Sequence, residues 1–242
     1  MSRHARHFAL AQIGETGQQR IAEASVLLVG VGGIGSAAAS YLASSGVGHI
    51  VLNDFDTVDE TNLGRQILFG PDDVGKPKAS VAAQRLSAIN PDIRVSIIDE
   101  RLDAAAMASA VGEVDVVLDG CDNFATRFLV NDACVAAQTC LVSGSAIRLE
   151  GQVAVFGPDY ETSPCYRCLY EDADETLENC AGNGVLAPVP GVIGTLMAVE
   201  TLKFMVGLDS PRGQVLLYDA GHSSFRTVTA AKRSDCPACG RP

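Results

Sequence analysis

Residues 25–35 contain the feature that most constrains the fold, an apolar run that ends in three spaced glycines. The run SVLLVG is followed by VGGIG, so that Gly30, Gly32 and Gly35 fit the pattern G-x-G-x-x-G. A run that is apolar at every position is typical of a strand buried on both faces of a parallel sheet. The glycines permit a tight turn and let a phosphate approach the free N–H groups that open the next helix. The sequence therefore predicts a nucleotide-binding βαβ unit.

The segment after the next predicted strand carries the charges that such a site needs. HIVLND ends in Asp54, which follows Gly35 by 19 residues, where a carboxylate holds ribose hydroxyls. This cradle alone does not distinguish NAD from ATP. Arg65 and Lys78 follow, and two cations in so acidic a chain favour a triphosphate.

Strand and helix patterns alternate as far as residue 145, which predicts an α/β fold with a Rossmann-like, doubly wound, mostly parallel sheet. The runs at 151–158, 213–221 and 225–233 predict antiparallel strands that extend this sheet. Residues 191–207 form an apolar helical pattern that we expect in the core or at a subunit interface. Neither a linker nor a repeat divides the chain, so we expect a single domain over residues 1–242.

Charge and hydropathy exclude several classes of partner. The net charge of −11 would repel a phosphate backbone or an anionic lipid surface, so nucleic acid and membrane are not expected partners. The N-terminus lacks the apolar centre of a signal peptide, and no apolar run reaches the roughly 18 residues of a membrane span. We therefore expect a cytoplasmic protein.

Two acids end the fourth predicted strand, in VVLDGCDNFATR. Asp119 and Asp122 would lie at the same sheet edge as the glycines, where a carboxylate can hold Mg²⁺ against phosphate oxygens. The alternative for Asp122 is the N-cap of the helix that begins at NFATRF, and the two roles are compatible.

The chain has eight cysteines, four of which form two C-x-x-C pairs. Cys165 and Cys168 occur in CYRC, and Cys236 and Cys239 in CPAC. In a reducing compartment this pattern predicts a structural zinc site that clips the C-terminal tail to the middle of the chain. The alternative is a pair of labile disulfides or redox motifs.

Nine stretches occur in an order that resembles a known family: RHARHFALAQIGETGQQRI, VLLVGVGGIGS, NDFDTVDETNLGRQ, DVGKPKA, LDGCDNFATRFLVND, GQVAVF, PCYRCLY, NCAGNGVLAPVPGVIG and CPACG. Together they are similar to the adenylyltransferases that activate small ubiquitin-like sulfur-carrier proteins. The molybdopterin-synthase and thiamine-pathway enzymes, relatives of the ubiquitin-activating enzymes, resemble the chain most. The similarity covers essentially the whole chain.

The resemblance implies ATP and Mg²⁺ as bound groups, beside the Zn²⁺ that the C-x-x-C pairs predict, and assigns roles to individual positions. Asp122 would bind Mg²⁺ and act in catalysis with Arg65 and Lys78, while Arg6 would reach into the site of a partner subunit in a homodimer. Cys180 corresponds to a cysteine that joins the carrier or transfers sulfur in some relatives and is dispensable in others. The implied nucleotide contacts are Gly32, Gly33, Asp54, Thr61, Asn62, Arg65, Gln66, Lys78, Asp122 and Asn123.

The implied reaction is adenylation of the C-terminal glycine carboxylate of a carrier protein that ends in Gly-Gly. The single adenylating domain would comprise an N-terminal arm (1–24), a nucleotide-binding half (25–150) and a half for carrier binding and the zinc clip (151–242). No rhodanese domain follows, so we expect a separate sulfur donor. His4 and Cys121 depart from the family, which usually has tyrosine and serine or threonine there, and Cys121 could be redox-sensitive or a small core residue.

Three other functions compete with this interpretation. A NAD(P)-dependent oxidoreductase would use the glycines and Asp54 but would leave Arg6, Arg65, Lys78 and the cysteine pairs without a role. A related enzyme could adenylate a small molecule or a tRNA base, although the negative charge argues against tRNA. A non-catalytic scaffold could retain the fold alone.

Overall fold

The computed structural model describes residues 3–171, 184–210 and 212–240. They form an eight-stranded sheet in the order β3-β2-β1-β4-β5-β6-β7-β8. The first five strands of this order are parallel, and the last three are antiparallel additions, as the sequence predicted. The strands are β1 (Ser25–Val29), β2 (His49–Asn53), β3 (Arg94–Ile98), β4 (Val116–Asp119), β5 (Cys140–Ile147), β6 (Glu150–Phe156), β7 (Gln214–Asp219) and β8 (Ser224–Thr229).

Helices cover both faces of the parallel part, and their ends follow from local chemistry. Gly46 ends α3 with a left-handed φ of 83°, which glycine adopts without a Cβ penalty. Asp103 and Asn123 cap α5 and α6 by accepting backbone N–H groups. The helices are α1 (Ala5–Phe8), α2 (Gly14–Glu23), α3 (Gly33–Ser45), α4 (Lys78–Ile89), α5 (Ala104–Gly112), α6 (Phe124–Ala137), α7 (Tyr166–Leu169) and α8 (Pro188–Val206), with 3-10 turns at Glu60–Asn62 and Pro71–Asp73.

The cap of α6 corrects one alternative. The side chain that accepts the amide of Thr126 at 2.9 Å belongs to Asn123, not to Asp122. Asp122 is exposed and lies one residue before the cap. The carboxylate of Asp122 is therefore not used by the helix end.

Among the described residues, one helix, α8, is long and apolar enough to cross a membrane. It packs against α3, and the Ile193 and Met197 side chains are fully buried. Gly194 lies where the two helices cross, so close that a Cβ there would be 2.1 Å from the carbonyl oxygen of Ile34. In this structure the helix is part of the core, one of the two places that the sequence indicated.

Candidate functional site

A cavity opens at the carboxyl ends of β1, β2 and β4, where ligands bind in open α/β sheets. Its wall combines backbone of the glycine loop with charged side chains from four loops and an apolar patch. The residues that carry the following argument line it together: Gly30, Gly32, Gly33, Asp54, Arg65, Gln66, Lys78, Arg101, Cys121, Asp122, Asn123 and Arg127.

The three glycines of the G-x-G-x-x-G pattern are each explained by a different local contact. Gly30 has a φ of 85°, and a Cβ there would be 3.1 Å from the Cys121 amide nitrogen. A Cβ on Gly35 would be 2.0 Å from the Gly30 carbonyl oxygen, so this position allows the helix to start close to the strand. Gly32 faces open space apart from one side-chain atom at 3.6 Å. The loop therefore leaves room for a ligand against the N-terminus of α3.

Asp54 lies at the end of β2, in the wall of the cavity. Its carboxylate accepts the Val31 amide at 2.7 Å and the Asp56 amide at 2.9 Å, which ties the glycine loop to the second strand. Burial raises the pKa of Asp54, while the two amides and nearby Lys78 act in the opposite direction. A carboxylate oxygen has two lone pairs, so hydroxyl donors can still bind here.

The two predicted cations both reach the cavity. Lys78 is buried at the start of α4, and its ammonium pairs with the exposed Asp56 carboxylate at 2.9 Å. The Arg65 guanidinium donates to the Thr61 carbonyl at 3.0 Å, which leaves its other N–H groups for a ligand. Gln66 is buried beside them, and its Oε1 is without a hydrogen-bond partner in the described structure. Such an atom is expected where a polar ligand completes the site.

Asp119 and Asp122 differ in their surroundings. Asp119 is fully buried and accepts hydrogen bonds from the Cys121 amide and thiol and from the Ser143 hydroxyl. Asp122 is exposed and lines the cavity. The Asp122 carboxylate accepts a long hydrogen bond from the Asn123 side-chain amide, at 3.5 Å, and of the two it is the one that a cation in the cavity can reach.

Cys121 is held as a thiol. Burial, reinforced by the Asp119 carboxylate that accepts its S–H at 2.8 Å, raises the pKa of Cys121 well above its usual value. A thiolate is the reactive form of cysteine. Cys121 is nevertheless half-buried and lines the cavity, so it is not the small core residue that was one of the two alternatives, and its redox sensitivity stays a prediction.

Thr61 and Asn62 do not line the cavity in this structure. Both side chains bond to Asp59 and stabilise the 3-10 turn that carries Arg65. Arg6 is exposed on α1, away from the cavity, and Cys180 lies outside the described residues. Direct nucleotide contacts by Thr61 and Asn62, and the roles of Arg6 and Cys180, stay predictions.

The structure adds residues that sequence reasoning missed. The Arg101 guanidinium lies 4.5 Å from the centre of the Phe55 ring, and both line the cavity beside the apolar Leu102 and Met107. Arg127, one turn into α6, is buried in the same wall. Neither arginine is part of the glycine pattern, so only its position relative to the strand ends could have identified it.

The four cysteines of the two C-x-x-C pairs form one cluster. Their sulfur atoms all lie within 4.8 Å of one another, with 3.6 Å from Cys165 to Cys236 and 3.4 Å from Cys168 to Cys239. Zinc–sulfur bonds of about 2.3 Å in a tetrahedron require sulfur separations of about 3.8 Å. The cluster therefore fits Zn²⁺, as the sequence predicted.

Hydrogen-bond donors lie beside several sulfur atoms of the cluster, although burial raises the pKa of Cys165 and Cys168. The Lys232 ammonium lies 3.2 Å from the Cys239 sulfur, and the Arg233 amide lies 3.5 Å from the Cys168 sulfur. Burial would raise the pKa of Cys236, but hydrogen bonds from the backbone of Cys239 and Ala238 lower it to about 7. Donors of this kind stabilise the charge of a thiolate metal site.

Comparison with known proteins places this geometry in a family. A profile of the ThiF family matches residues 4–238. The Escherichia coli sulfur carrier protein ThiS adenylyltransferase is 44% identical, over 98% of this chain and 94% of its own length. The E. coli molybdopterin-synthase adenylyltransferase is 43% identical, over 100% of this chain and 97% of its own length.

Solved structures of related proteins have the same fold. The crystal structure of E. coli MccB with ATP superimposes with a TM-score of 0.84 at 27% identity, over 99% of this chain and 74% of that one. A second MccB structure, with the analogue AMPCPP and MccA, gives a TM-score of 0.86 at 26% identity over the same shares. The glycine loop, the cations at the sheet edge and the cysteine cluster thus occur in a chain that spans nearly the full length of the two E. coli adenylyltransferases and about three quarters of MccB. The chain belongs to the ThiF family and is an enzyme of the adenylyltransferase class.

Proposed function

We propose that the enzyme adenylates the C-terminal glycine carboxylate of a small ubiquitin-like sulfur-carrier protein that ends in Gly-Gly. The observation that carries the proposal is a single cavity that joins the glycine loop, Asp54, the cations Arg65 and Lys78, and the exposed carboxylate of Asp122. ATP is the substrate that fits this set. The named activities of the relatives, which include ThiS and molybdopterin-synthase adenylyltransferases, support the choice of acceptor.

The charge distribution supports ATP in one orientation. The glycine loop and the N-terminus of α3 would face the phosphates, with Asp54 at the ribose and the apolar Leu102 and Met107 beside the base. Lys78 and Arg65 would contact the phosphates. The unpartnered Gln66 Oε1 would gain a donor from the ligand or from its water.

The chemistry needs alignment and charge neutralisation more than proton transfer. A carboxylate oxygen of the carrier attacks the α-phosphorus, the bond from that phosphorus to the bridging oxygen breaks, and pyrophosphate leaves with the electron pair. The products are an acyl-adenylate and pyrophosphate. The nucleophile is already ionised at neutral pH, so no general base is required. Arg65 and Lys78 would offset the repulsion between the two anions and stabilise the leaving group.

Asp122 is the residue that would hold Mg²⁺. Its carboxylate lines the cavity, accepts a long hydrogen bond from the Asn123 side-chain amide at 3.5 Å, and takes no part in the buried network of Asp119. When bound, the ion supplies positive charge at the phosphates and at the departing pyrophosphate. Asn123 caps α6 and so fixes the backbone that carries Asp122.

Further features of the proposal extend beyond the cavity. The cysteine cluster would hold a structural Zn²⁺, because four protein thiolates leave no open position for a substrate. Arg6 would enter the site of a second copy, so the working enzyme would be a homodimer. A separate protein would donate sulfur after activation. The pathway served, whether molybdopterin, thiamine or another, depends on which carrier binds.

Carrier-dependent ATP–pyrophosphate exchange tests the proposal. Purified enzyme with Mg²⁺, ATP and labelled pyrophosphate should form labelled ATP only when a carrier with an intact Gly-Gly end is present. NAD should have no effect. Failure of several such carriers to support exchange, or binding of NAD in place of ATP, would contradict the proposal.

The variant Asp122→Ala tests the site assignment. Loss of its carboxylate should lower the exchange rate by about 100-fold or more, because charge stabilisation of the phosphates depends on it. Asp72→Ala is the matched control, since Asp72 is exposed in a 3-10 turn and does not line the cavity. Equal rates for the two variants would show that Asp122 is not the metal ligand.

A further inference from the structure

Arg127 is a buried cation that the proposed reaction does not yet use. It is 4% exposed, and it lies one turn into α6, five residues after Asp122. Burial lowers the pKa of Arg127, but Asp119, Tyr166 and Cys121 together raise it, so that it lies well above its usual value. A permanently charged group in such a position is expected to hold a defined geometry.

The two ends of the Arg127 guanidinium contact different parts of the molecule. Nη2 donates to the Cys121 carbonyl oxygen at 2.9 Å, in the loop between β4 and α6 that carries Asp122. Nη1 donates to the Tyr166 hydroxyl at 3.3 Å. Arg127 therefore connects the loop beside the cavity to helix α7.

Tyr166 belongs to the zinc clip, the pair of segments that carry Cys165 and Cys168 and Cys236 and Cys239. It lies between Cys165 and Cys168, its side chain is 2% exposed, and its amide donates to the Asn131 side chain at 2.8 Å. The ring also packs edge-on against Phe128. The position of its hydroxyl is thus set jointly by the metal ligands on either side and by α6.

A second connection between α7 and α6 avoids the cavity. The Arg167 guanidinium binds both oxygens of Asp132, at 2.7 and 2.8 Å, and lies over the Phe128 ring. Neither Arg167 nor Asp132 lines the cavity, and neither contacts the 120–123 loop in the described hydrogen-bond network. This pair provides an internal control for the role of Arg127.

We propose that Arg127 is a positioning residue: held by Tyr166 of the zinc clip, it fixes the Cys121 carbonyl and thereby the Asp122 carboxylate that binds Mg²⁺. The inference rests on the proposed function of Asp122. Four thiolates around a zinc ion do not by themselves imply a catalytic role. If Arg127 acts as proposed, however, the zinc clip sets the Mg²⁺ affinity of the nucleotide site. Outer partners that orient a metal ligand typically contribute about 10- to 100-fold to metal affinity.

Tyr166→Phe tests this with the loss of one hydroxyl. Two measurements are made: the Mg²⁺ concentration for half-maximal exchange, and calorimetric binding of the ATP analogue AMPCPP with and without added Mg²⁺, in chelator-free buffer that leaves the zinc in place. We expect the half-maximal Mg²⁺ concentration to rise about 3- to 10-fold and AMPCPP binding to weaken only when Mg²⁺ is present. Zinc content and AMPCPP binding without added Mg²⁺ should match the wild type. Arg127→Lys, which keeps the charge but not both contacts, should shift the Mg²⁺ dependence in the same direction.

Asp132→Asn supplies the control, because it weakens the other link between α7 and α6. Its Mg²⁺ dependence should equal that of the wild type. An unchanged Mg²⁺ dependence in Tyr166→Phe, or an equal shift in Asp132→Asn, would overturn the positioning role while leaving the proposed function intact. Failure of the wild type to bind AMPCPP with Mg²⁺ would overturn the proposed function and the inference together.

Discussion

The crossing of α3 and α8 gives a prediction whose size follows directly from the structure. A Cβ on Gly194 would be 2.1 Å from the Ile34 carbonyl oxygen and 3.0 Å from the Ala37 Cβ. Contacts of a real Cβ do not fall below 3.0 Å, so Gly194→Ala must separate the helix backbones by about 1 Å. Because the obstacle is backbone rather than a movable side chain, the cost should lie near the top of the usual range for overpacking, about 3 kcal/mol.

The matched variant is Gly191→Ala, one turn earlier in the same helix. Nothing lies within 4 Å of a Cβ on Gly191, so the change should stabilise the protein by about 0.5–1 kcal/mol through better helix propensity. Thermal unfolding of both variants, at equal protein and zinc concentrations, measures the difference. For a chain of this size we expect Gly194→Ala to unfold about 6 to 12 °C below the wild type. The packing argument is refuted if Gly194→Ala is as stable as the wild type or more stable than Gly191→Ala.

Three further predictions concern the site and its supports. Lys78→Ala should lower kcat/KM for ATP about 10- to 100-fold in steady-state exchange assays, since a charged hydrogen bond to phosphate is lost. Lys76 is an exposed lysine paired with Asp73, and Lys76→Ala should match the wild type in the same assays. The purified protein should contain about one zinc per chain by metal analysis, and less than about half an equivalent would contradict the zinc assignment. Cys239→Ser should reduce the zinc content and the unfolding temperature together, whereas Cys134→Ala should leave the zinc content unchanged. Cys121 should react with iodoacetamide at neutral pH more slowly than free cysteine, because its raised pKa lowers the thiolate fraction. Peptide mapping that finds it labelled at the rate of free cysteine would disprove the raised pKa.

Much of the fold could be predicted because its signals are local. The apolar runs that became β1, β2 and β4 and the glycine that ends α3 are readable from neighbours in sequence. Asp54 and Lys78 reached the cavity as predicted because each lies at the boundary of an element whose direction in a parallel sheet is fixed. The choice of Asn123 over Asp122 as the helix cap could not be predicted, because both residue types cap helices and only the local backbone decides between them.

By itself, the sequence determined the doubly wound topology, the glycine loop between β1 and α3, and the two cysteine pairs that form one cluster, because patterns of period and spacing specify them. The tertiary structure alone decided which of two acids is free to bind a metal, since burial of Asp119 and exposure of Asp122 depend on what packs around the end of β4. It also decided that Arg127 meets Tyr166, a contact between residues 39 positions apart that no local pattern encodes. Such a contact exists only after the sheet has brought α6 and the zinc clip together.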